Sequence, residues 1–341
     1  MNQNRPTARP TDATYLDDGE TDLPSDPLDD ASDLLNLPWI DVHNHAHTLS
    51  WADRERYALS GCAAMVMVAS GHHWTPYKPV RADDVRYLWD DAINRRAAIE
   101  RNHFFEAALA VGVQSGIRVE DPQPLLDAMD GYCTLDEVVA VGEIGVTPTQ
   151  QVSAWQLDEQ RAVVEAQMAI ADRHDLPVLL HTPSRLRGPD RPYRPGIELP
   201  GYETNRSLGQ EPVIEADQPN IEAVKLDVEA ARAAGLPEEQ VVASHADPDN
   251  VPYLMAETEC FVSFTIGHPW MTGVDAETVA AAIDEYGPGR IMIDTDAANV
   301  VDSDVLAIKR AILDLYRFGI DEDAIRRVVL ENPREVFRIG R

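Results

Sequence analysis

An apolar stretch near the start of the chain, residues 39–45 (WIDVHNH), ends in two histidines, His43 and His45. On a β-strand, residues i and i+2 point to the same face, so these side chains would project side by side from the carboxyl end of a strand. Because neutral imidazole is the commonest metal ligand in proteins, the pair is a candidate for metal binding. A histidine-rich turn is the alternative, since His47 follows directly.

Four later apolar segments also end in side chains that can bind a metal, namely Glu143, His181, His245 and Asp296. A carboxylate such as Glu143 in an apolar strand is costly to bury unless it is paired or binds a metal. Four histidines and two carboxylates exceed what one ion in a closed tetrahedral site requires, which leaves room for two ions or open positions. The sequence therefore predicts one or two divalent ions, with Zn, Mn, Mg, Fe and Ni all open.

The elements that must position these residues alternate along the chain. Apolar runs lie at 38–43, 62–69, 104–113, 138–146, 177–182, 240–245, 260–266 and 290–295. Amphipathic segments with helical spacing separate most of them, at 83–100, 122–130, 153–174, 220–234, 276–286 and 303–318. This alternation is typical of parallel βα units, and eight units predict an α/β fold, a closed (β/α)8 TIM barrel. All the strand ends named above would then meet at one rim of the barrel.

Two segments depart from this alternation. Residues 1–36 hold nine acidic residues and four prolines without hydrophobic periodicity, so we expect a disordered or loosely packed acidic N-terminal arm. A structural role covering the bottom of the barrel is the alternative. Residues 37–341 are expected to form the barrel domain. Within it, the long segment 184–219 after the fifth strand is interpreted as a lid-like insertion, because loops of this length are usually functional or disordered.

Composition limits the choice of partners and location. The chain carries 59 acidic and 29 basic residues, a net charge of −30, which repels polyanions and argues against nucleic acid. The charge is spread along the whole chain, so adaptation to a halophilic cytoplasm is the favoured explanation. The absence of a transmembrane run and of a signal pattern predicts a cytoplasmic protein without a membrane partner. The three cysteines, Cys62, Cys133 and Cys260, are predicted to be buried free thiols.

In this order, the motifs resemble the TatD-like metal-dependent hydrolases, a branch of the amidohydrolase-type barrel superfamily. The resemblance spans residues 38–338. It is carried by the segments 41–45 (DVHNH), 141–145 (VGEIG), 181–183 (HTP), 244–245 (SH), 294–296 (DTD) and 331–337 (ENPREVF). The last of these resembles the terminal helix of that family.

The resemblance implies a ligand set for two ions. His43, His45 and Asp296 would hold one ion, and Glu143 would bridge to a second ion held by His181 and His245. It also implies a hydrolase in which metal-activated water attacks a phosphodiester bond, as in a DNase, with Asp296 as general base or proton shuttle.

Two features oppose the DNase interpretation. Gln114 stands where many TatD-like chains have a histidine, and an amide cannot exchange a proton near neutral pH. The chain also lacks the basic stripe that single-strand binding normally needs. A small-molecule amidohydrolase, lactonase or phosphoesterase is therefore the alternative, and a metal-binding barrel without catalysis is a third. The oligomeric state stays open.

Weaker candidates for substrate contact are Gln114, His72, His73, Trp74, Arg185 and His268. Arg185 could bind a phosphate or a carboxylate, or could lie on a solvated face of the insertion. An exposed loop without function is the alternative for the histidines and Trp74. Asp294 is expected to point away from Asp296 on its strand and to pair with an arginine as a buried structural carboxylate.

Overall fold

The structure is a computed structural model of the full chain. It describes residues 33–69, 81–114, 119, 121–148, 155–182, 214, 216, 218–299 and 303–340. Contacts divide the chain into two compact units, Met1–Asn36 and Leu37–Arg341, and the second unit contains the sheet described below. Most of the predicted N-terminal arm and of the 184–219 insertion lies outside the described residues, as do His72, His73, Trp74 and Arg185.

Eight parallel strands form one sheet in which each strand pairs with the next along the chain. They are β1 (Trp39–Asn44), β2 (Cys62–Val68), β3 (Glu106–Val111), β4 (Val138–Ile144), β5 (Val178–His181), β6 (Val241–Ser244), β7 (Phe261–Thr265) and β8 (Ile291–Asp294). After β8 the chain returns to β1, since the backbone N–H of Asp296 donates to the carbonyl of His43 at 2.8 Å. The predicted (β/α)8 barrel is confirmed, with strand ends within two residues of the expected positions.

Helices fill most of the connections between the strands. The longer ones are Trp51–Leu59, Ala82–His103, Gln123–Tyr132, Leu157–Arg173, Pro219–Ala234, Ala276–Tyr286 and Ala307–Arg317. Shorter ones are Val251–Glu257, Pro269–Thr272, Glu322–Arg326 and Asn332–Phe337, together with a π-helical turn at Arg327–Glu331 and 3₁₀ turns at Glu238–Gln240 and Pro288–Arg290. The last short helix lies where the resemblance placed a terminal helix.

The helix Trp51–Leu59 was not predicted from the sequence. It buries Tyr57 and no other of its residues, so it lacks the repeating apolar stripe by which an amphipathic helix is recognised. Its start is specified locally instead, because the hydroxyl of Ser50 accepts a hydrogen bond from the backbone N–H of Asp53 at 3.2 Å.

The barrel core is formed by the strands themselves. Their side chains are almost entirely buried, as expected for parallel strands covered by helices. Cys62, Cys133 and Cys260 are buried and unpaired, which confirms that prediction. Among the described residues, no helix combines the length and the apolar character needed to cross a membrane.

Candidate metal centre

Three predicted ligands converge where β8 returns to β1. The Nε2 atoms of His43 and His45 lie 3.6 Å and 3.2 Å from Oδ1 of Asp296. The two rings stand edge to face with their centroids 5.7 Å apart, so the pair does project side by side. One ligand atom from each of the three residues lies within 4.8 Å of the others, and all three residues are buried. This group has the composition and spacing to hold a metal ion.

A second group shares His43 with the first and adds Glu143 from β4 and His245, which follows β6. Nε2 of His43 lies 3.9 Å from Oε2 of Glu143, and Nε2 of His245 lies 3.4 Å from Oε1 of the same carboxylate. Ligand atoms of these three buried residues also lie within 4.8 Å of one another. The two groups are therefore adjacent, with the imidazole of His43 common to both.

His181, the last residue of β5, reaches the same carboxylate. Its Nδ1 atom contacts Oε1 of Glu143, and its ring lies 4.8 Å from the ring of His245. Its side chain is 39% exposed, whereas the other predicted ligands are buried. The structure thus brings His181 to the solvent side of the second group, in contact with Glu143, and gives His43 the place in that group that the resemblance assigned to His181.

Local irregularities of the backbone aim several of these side chains. The register between β4 and β5 shifts between Gly142 and Ile144, at Glu143, and such bulges re-aim side chains beside active sites. His245 and Asp296 have φ angles of 58° and 47°, in the left-handed region that residues other than glycine rarely occupy. Strained conformations of this kind persist where the surroundings enforce them, and they concentrate at functional sites.

Both carboxylates of the centre are held in the ionised form. Burial acts to raise the pKa of Glu143, but His181 and His43 hold it well below its usual range. Burial also acts to raise the pKa of Asp296, and the hydrogen bond to His268 is the largest influence that keeps it well below the usual range. Two buried negative charges therefore face the histidines.

These charges raise the pKa of two of the histidines, whereas burial lowers the pKa of His43. Burial acts to lower the pKa of His245, but the hydrogen bond with Glu143 and the nearby charges raise it to about 9. For His45 the contact with Asp296 likewise outweighs burial and raises the pKa. The centre therefore stabilises positive charge between its carboxylates, whether protons or a metal cation supply it.

The nitrogen atoms of the rings that face the centre fit a metal ion. Nε2 of His43 makes no hydrogen bond within the described part of the chain, although the side chain is fully buried. Nδ1 of His45 lies 3.1 Å from the carbonyl oxygen of Val68, which can only accept. In the neutral ring, Nδ1 therefore carries the proton and Nε2 has the lone pair that a metal ion would bind. Such lone pairs opposite ionised carboxylates are unfavourable unless a cation lies between them. The residues present therefore fit a divalent metal ion.

His268, predicted as a contact for substrate, lies against Asp296. It is fully buried, and its Nε2 atom lies 3.0 Å from Oδ2 of Asp296. Its ring thus touches the carboxylate oxygen that is turned away from His45. The structure makes His268 a partner of Asp296, and contact of His268 with a substrate stays a prediction.

Asp294 is a buried carboxylate, as expected, but its direction and its partners differ from the expectation. It is buried and accepts hydrogen bonds from the hydroxyl groups of Ser244, Ser263 and Thr265, at 3.0, 2.5 and 2.7 Å. These are hydroxyl donors and not an arginine. Because the hydroxyl groups of Ser244 and Thr265 also contact His43 and His245, Asp294 points to the barrel interior, beneath the two rings.

Asp41 is a buried carboxylate whose role the sequence analysis missed. Its Oδ2 atom accepts hydrogen bonds from Tyr57 and Thr295, and burial raises its pKa to about 7. Its Oδ1 atom accepts a hydrogen bond from the backbone N–H of Thr295 at 3.1 Å, which ties β1 to the end of β8 beneath the centre. A single charged residue in an otherwise apolar strand was the available signal, because such a residue is costly to bury without partners.

Gln114 is buried, three residues beyond the end of β3 at Val111. The preceding residue is held firmly, since Gln167 binds both the N–H and the carbonyl of Val113 at 2.6 and 3.0 Å. Contact of Gln114 with a substrate stays a prediction.

The fold and the centre define a (β/α)8 barrel with a histidine–carboxylate cluster at the carboxyl ends of its strands, the arrangement typical of metal-dependent barrel enzymes. Residues 40–188 match the model of a family described as TatD related DNase. The chain is also 22% identical over 300 residues to an uncharacterized metal-dependent hydrolase of Methanocaldococcus jannaschii, covering 88% of this chain and all of the relative. These matches relate the chain to the TatD-related metal-dependent hydrolases.

Solved structures share the barrel at low sequence identity. A TatD-like protein from Archaeoglobus fulgidus superposes with a TM-score of 0.59 at 19% identity, covering 88% of this chain and 100% of that chain. A β-aspartyl dipeptidase from Fervidobacterium islandicum also gives a TM-score of 0.59, at 14% identity, covering 89% of this chain and 74% of that one. At these identities the likeness establishes the fold.

Proposed function

We propose that this protein is a divalent-metal-dependent hydrolase of the TatD-related type, with its active site at the carboxyl ends of β1, β4, β5, β6 and β8. The observation that carries the proposal is the sharing of His43 by two buried three-residue groups of possible ligands. His43, His45 and Asp296 would hold one ion, and Glu143 with His245 a second, with His181 completing the second set from the solvent side. Two adjacent sites of this kind are the usual arrangement for hydrolysis assisted by two metals.

The chain's own groups have defined parts in this proposal. A divalent cation bound here would lower the pKa of a water molecule and polarise the oxygen of the scissile group. Glu143 presents both of its carboxylate oxygens to the histidines, so it is suited to lie between two cations. Oδ1 of Asp296 faces His43 and His45, which leaves Oδ2, beside His268, to take the proton of the attacking water.

For the substrate we propose a phosphodiester, which the match to the TatD related DNase family over residues 40–188 supports. A small amide, ester or lactone is the second candidate, and two observations favour it. The net charge of −30 opposes the approach of a polyanion. In addition, Gln114 replaces the histidine expected at the end of β3, so a proton donor or acceptor is missing there.

The test combines metal analysis with activity. The protein should be purified in both low and multimolar salt, because screening decides how far its acidic surface repels a charged substrate. Its metal content should be measured, and hydrolysis of single-stranded DNA compared with that of small phosphodiesters, esters, lactones and dipeptides. We expect bound divalent metal and metal-dependent turnover of at least one of these substrates.

Variants test whether metal binding and activity depend on the proposed site. Glu143→Gln keeps the shape of the side chain but removes its charge, so it should lose metal and activity together. His174→Asn is the matched control, since His174 also contacts a carboxylate, Asp130 at 2.9 Å, on the outer helices. A protein that contains no metal, or a Glu143→Gln variant that retains both metal and activity, would contradict the proposal.

A further inference from the structure

We propose that Asp294 is a positioning residue that determines which ring nitrogen of His43 and of His245 carries the proton, acting through the hydroxyl groups of Ser244 and Thr265. The inference rests on the proposed role of the two histidines as metal ligands. It assigns a shared task to three residues that lie beneath the centre and touch no metal-facing atom of either ring.

The first branch runs from β8 through β6 to β1. The hydroxyl of Ser244 donates to Oδ2 of Asp294 at 3.0 Å and lies 2.7 Å from Nδ1 of His43. A hydroxyl has one proton and a carboxylate can only accept, so the proton of Ser244 is committed to Asp294. Nδ1 of His43 must then donate to the serine oxygen. The remaining nitrogen, Nε2, is left with its lone pair directed into the centre.

The second branch repeats this arrangement on the other side of the carboxylate. The hydroxyl of Thr265 donates to Oδ1 of Asp294 at 2.7 Å and lies 2.8 Å from Nδ1 of His245. By the same reasoning, Nδ1 of His245 carries the proton. Nε2 of His245, 3.4 Å from Glu143, is the nitrogen available to a cation. One carboxylate thus orients two ligands that lie on different strands.

A third hydroxyl supplies an internal control. Ser263 donates to Oδ2 of Asp294 at 2.5 Å, and the hydrogen bond that its hydroxyl makes in the described structure is to this carboxylate and to no histidine. Asp294, Ser244, Ser263 and Thr265 are all fully buried on β6, β7 and β8. The network therefore lies on rigid strands, where partners of metal ligands hold ring orientation most precisely.

Asp294→Asn reverses the direction of the hydrogen bonds in one of the two branches without changing the size of the side chain. The amide nitrogen of asparagine donates, so the hydroxyl that it meets must turn and donate to the histidine Nδ1. That histidine then carries its proton on Nε2 and cannot bind a metal through that atom. Loss of such a supporting partner weakens metal binding by about 10- to 100-fold, and we expect a loss of that size.

The experiment measures Zn²⁺ affinity of the metal-free full-length protein by competition with a chromophoric chelator at fixed pH. The variants are Asp294→Asn, Ser244→Ala, Thr265→Val, Thr265→Ser and Ser263→Ala. ¹⁵N-histidine NMR of each metal-free protein, recorded above the pKa of about 9 of His245 so that this ring is neutral, reports which ring nitrogens are protonated. Thermal unfolding confirms that each variant folds. Thr265→Val keeps the shape of the side chain and Thr265→Ser keeps its hydroxyl, so this pair decides the question if Asp294→Asn fails to fold.

We expect weaker Zn²⁺ binding and an altered protonation pattern in Asp294→Asn, Ser244→Ala and Thr265→Val, rescue in Thr265→Ser, and wild-type affinity in Ser263→Ala. Equal losses in Ser263→Ala and Ser244→Ala, or wild-type affinity in Thr265→Val, would overturn the inference. If the wild-type protein binds no Zn²⁺, the proposed function fails. The NMR comparison still decides whether Asp294 determines which nitrogen of His43 and of His245 is protonated.

Discussion

Nε2 of His268 lies 3.0 Å from Oδ2 of Asp296, and both side chains are buried at the mouth of the barrel. This contact is the largest of the influences that hold the pKa of Asp296 below its usual range against the effect of burial. A ligand carboxylate oriented in this way is a common feature of metal sites.

Replacing His268 by asparagine should weaken metal binding by about 10- to 100-fold, because Asp296 loses the partner that orients it and keeps it ionised. The measurement is the dissociation constant of the metal-free protein for Zn²⁺ at several pH values. The loss should be greatest at low pH, where the raised pKa of Asp296 allows protons to compete. His174→Asn should leave the affinity unchanged, and equal affinities for wild type and His268→Asn would refute the assigned role.

Removal of metal should lower the melting temperature. Metal that binds only the native state stabilises it by about 2.7 kcal/mol at a free concentration one hundred times the dissociation constant. Without metal, the ionised Glu143 and Asp296 depend on protonated histidines for compensation. Calorimetry of chelator-treated protein, with and without added Zn²⁺ or Mn²⁺, measures this effect. A melting temperature that does not respond to either treatment would exclude a metal bound at these residues.

Gly142, next to Glu143, should not tolerate a side chain. A Cβ atom at this position would lie 2.7 Å from Cβ and 2.8 Å from the carbonyl oxygen of Leu179 on the neighbouring strand. Gly142→Ala is therefore expected to lower the free energy of unfolding by about 1–3 kcal/mol through overpacking. Denaturation by urea gives the value directly.

Gly131 provides the matched control for this substitution. It lies in the helix Gln123–Tyr132, and a Cβ atom there would meet no atom of the protein within 4 Å. Gly131→Ala should stabilise the protein by roughly 0.5–1 kcal/mol, because glycine is unfavourable within a helix. Destabilisation of equal size in both variants would show that the close approach of β4 and β5 is not the cause.

The buried carboxyl of Asp227 should make stability depend on pH. Its Oδ1 atom accepts a hydrogen bond from the backbone N–H of Val146 at 2.9 Å, and burial raises its pKa well above the usual range. Below the unfolded pKa of about 3.9 both states are protonated. As the pH rises above that value the unfolded state loses its proton first, so stability falls by up to about 1.4 kcal/mol per pH unit until the folded pKa is passed.

Asp227→Asn should remove this dependence, since the amide is neutral at every pH. The variant should therefore gain stability over wild type as the pH rises from 5 to 8, as measured by urea denaturation at each pH. Glu165→Gln is the control, at an exposed position of the helix Leu157–Arg173. Its free energy of unfolding should differ from that of wild type by the same small amount at every pH. A constant difference between wild type and Asp227→Asn would contradict the protonated state of this side chain.

The barrel and the residue types of its centre could be predicted from the sequence for a physical reason. Parallel strands buried on both faces must be almost continuously apolar, so each polar side chain at a strand end stands out against its neighbours. The topology then brings those ends to one rim, whatever the lengths of the connections between them. His43, His45, Glu143, His181, His245 and Asp296 were recognised in this way, and the structure brings all six together.

The contacts that organise the centre depended on tertiary structure. His43 and Ser244 are 201 residues apart in the chain, and Asp41 and Thr295 are 254 apart, so no local pattern connects them. The direction of Asp294 was misjudged, and the contact of His268 with Asp296 was not predicted, because side-chain direction at a strand end depends on register and on the turn that follows. The sequence by itself determined which groups line the rim; only the packing of the strands decided which of them touch.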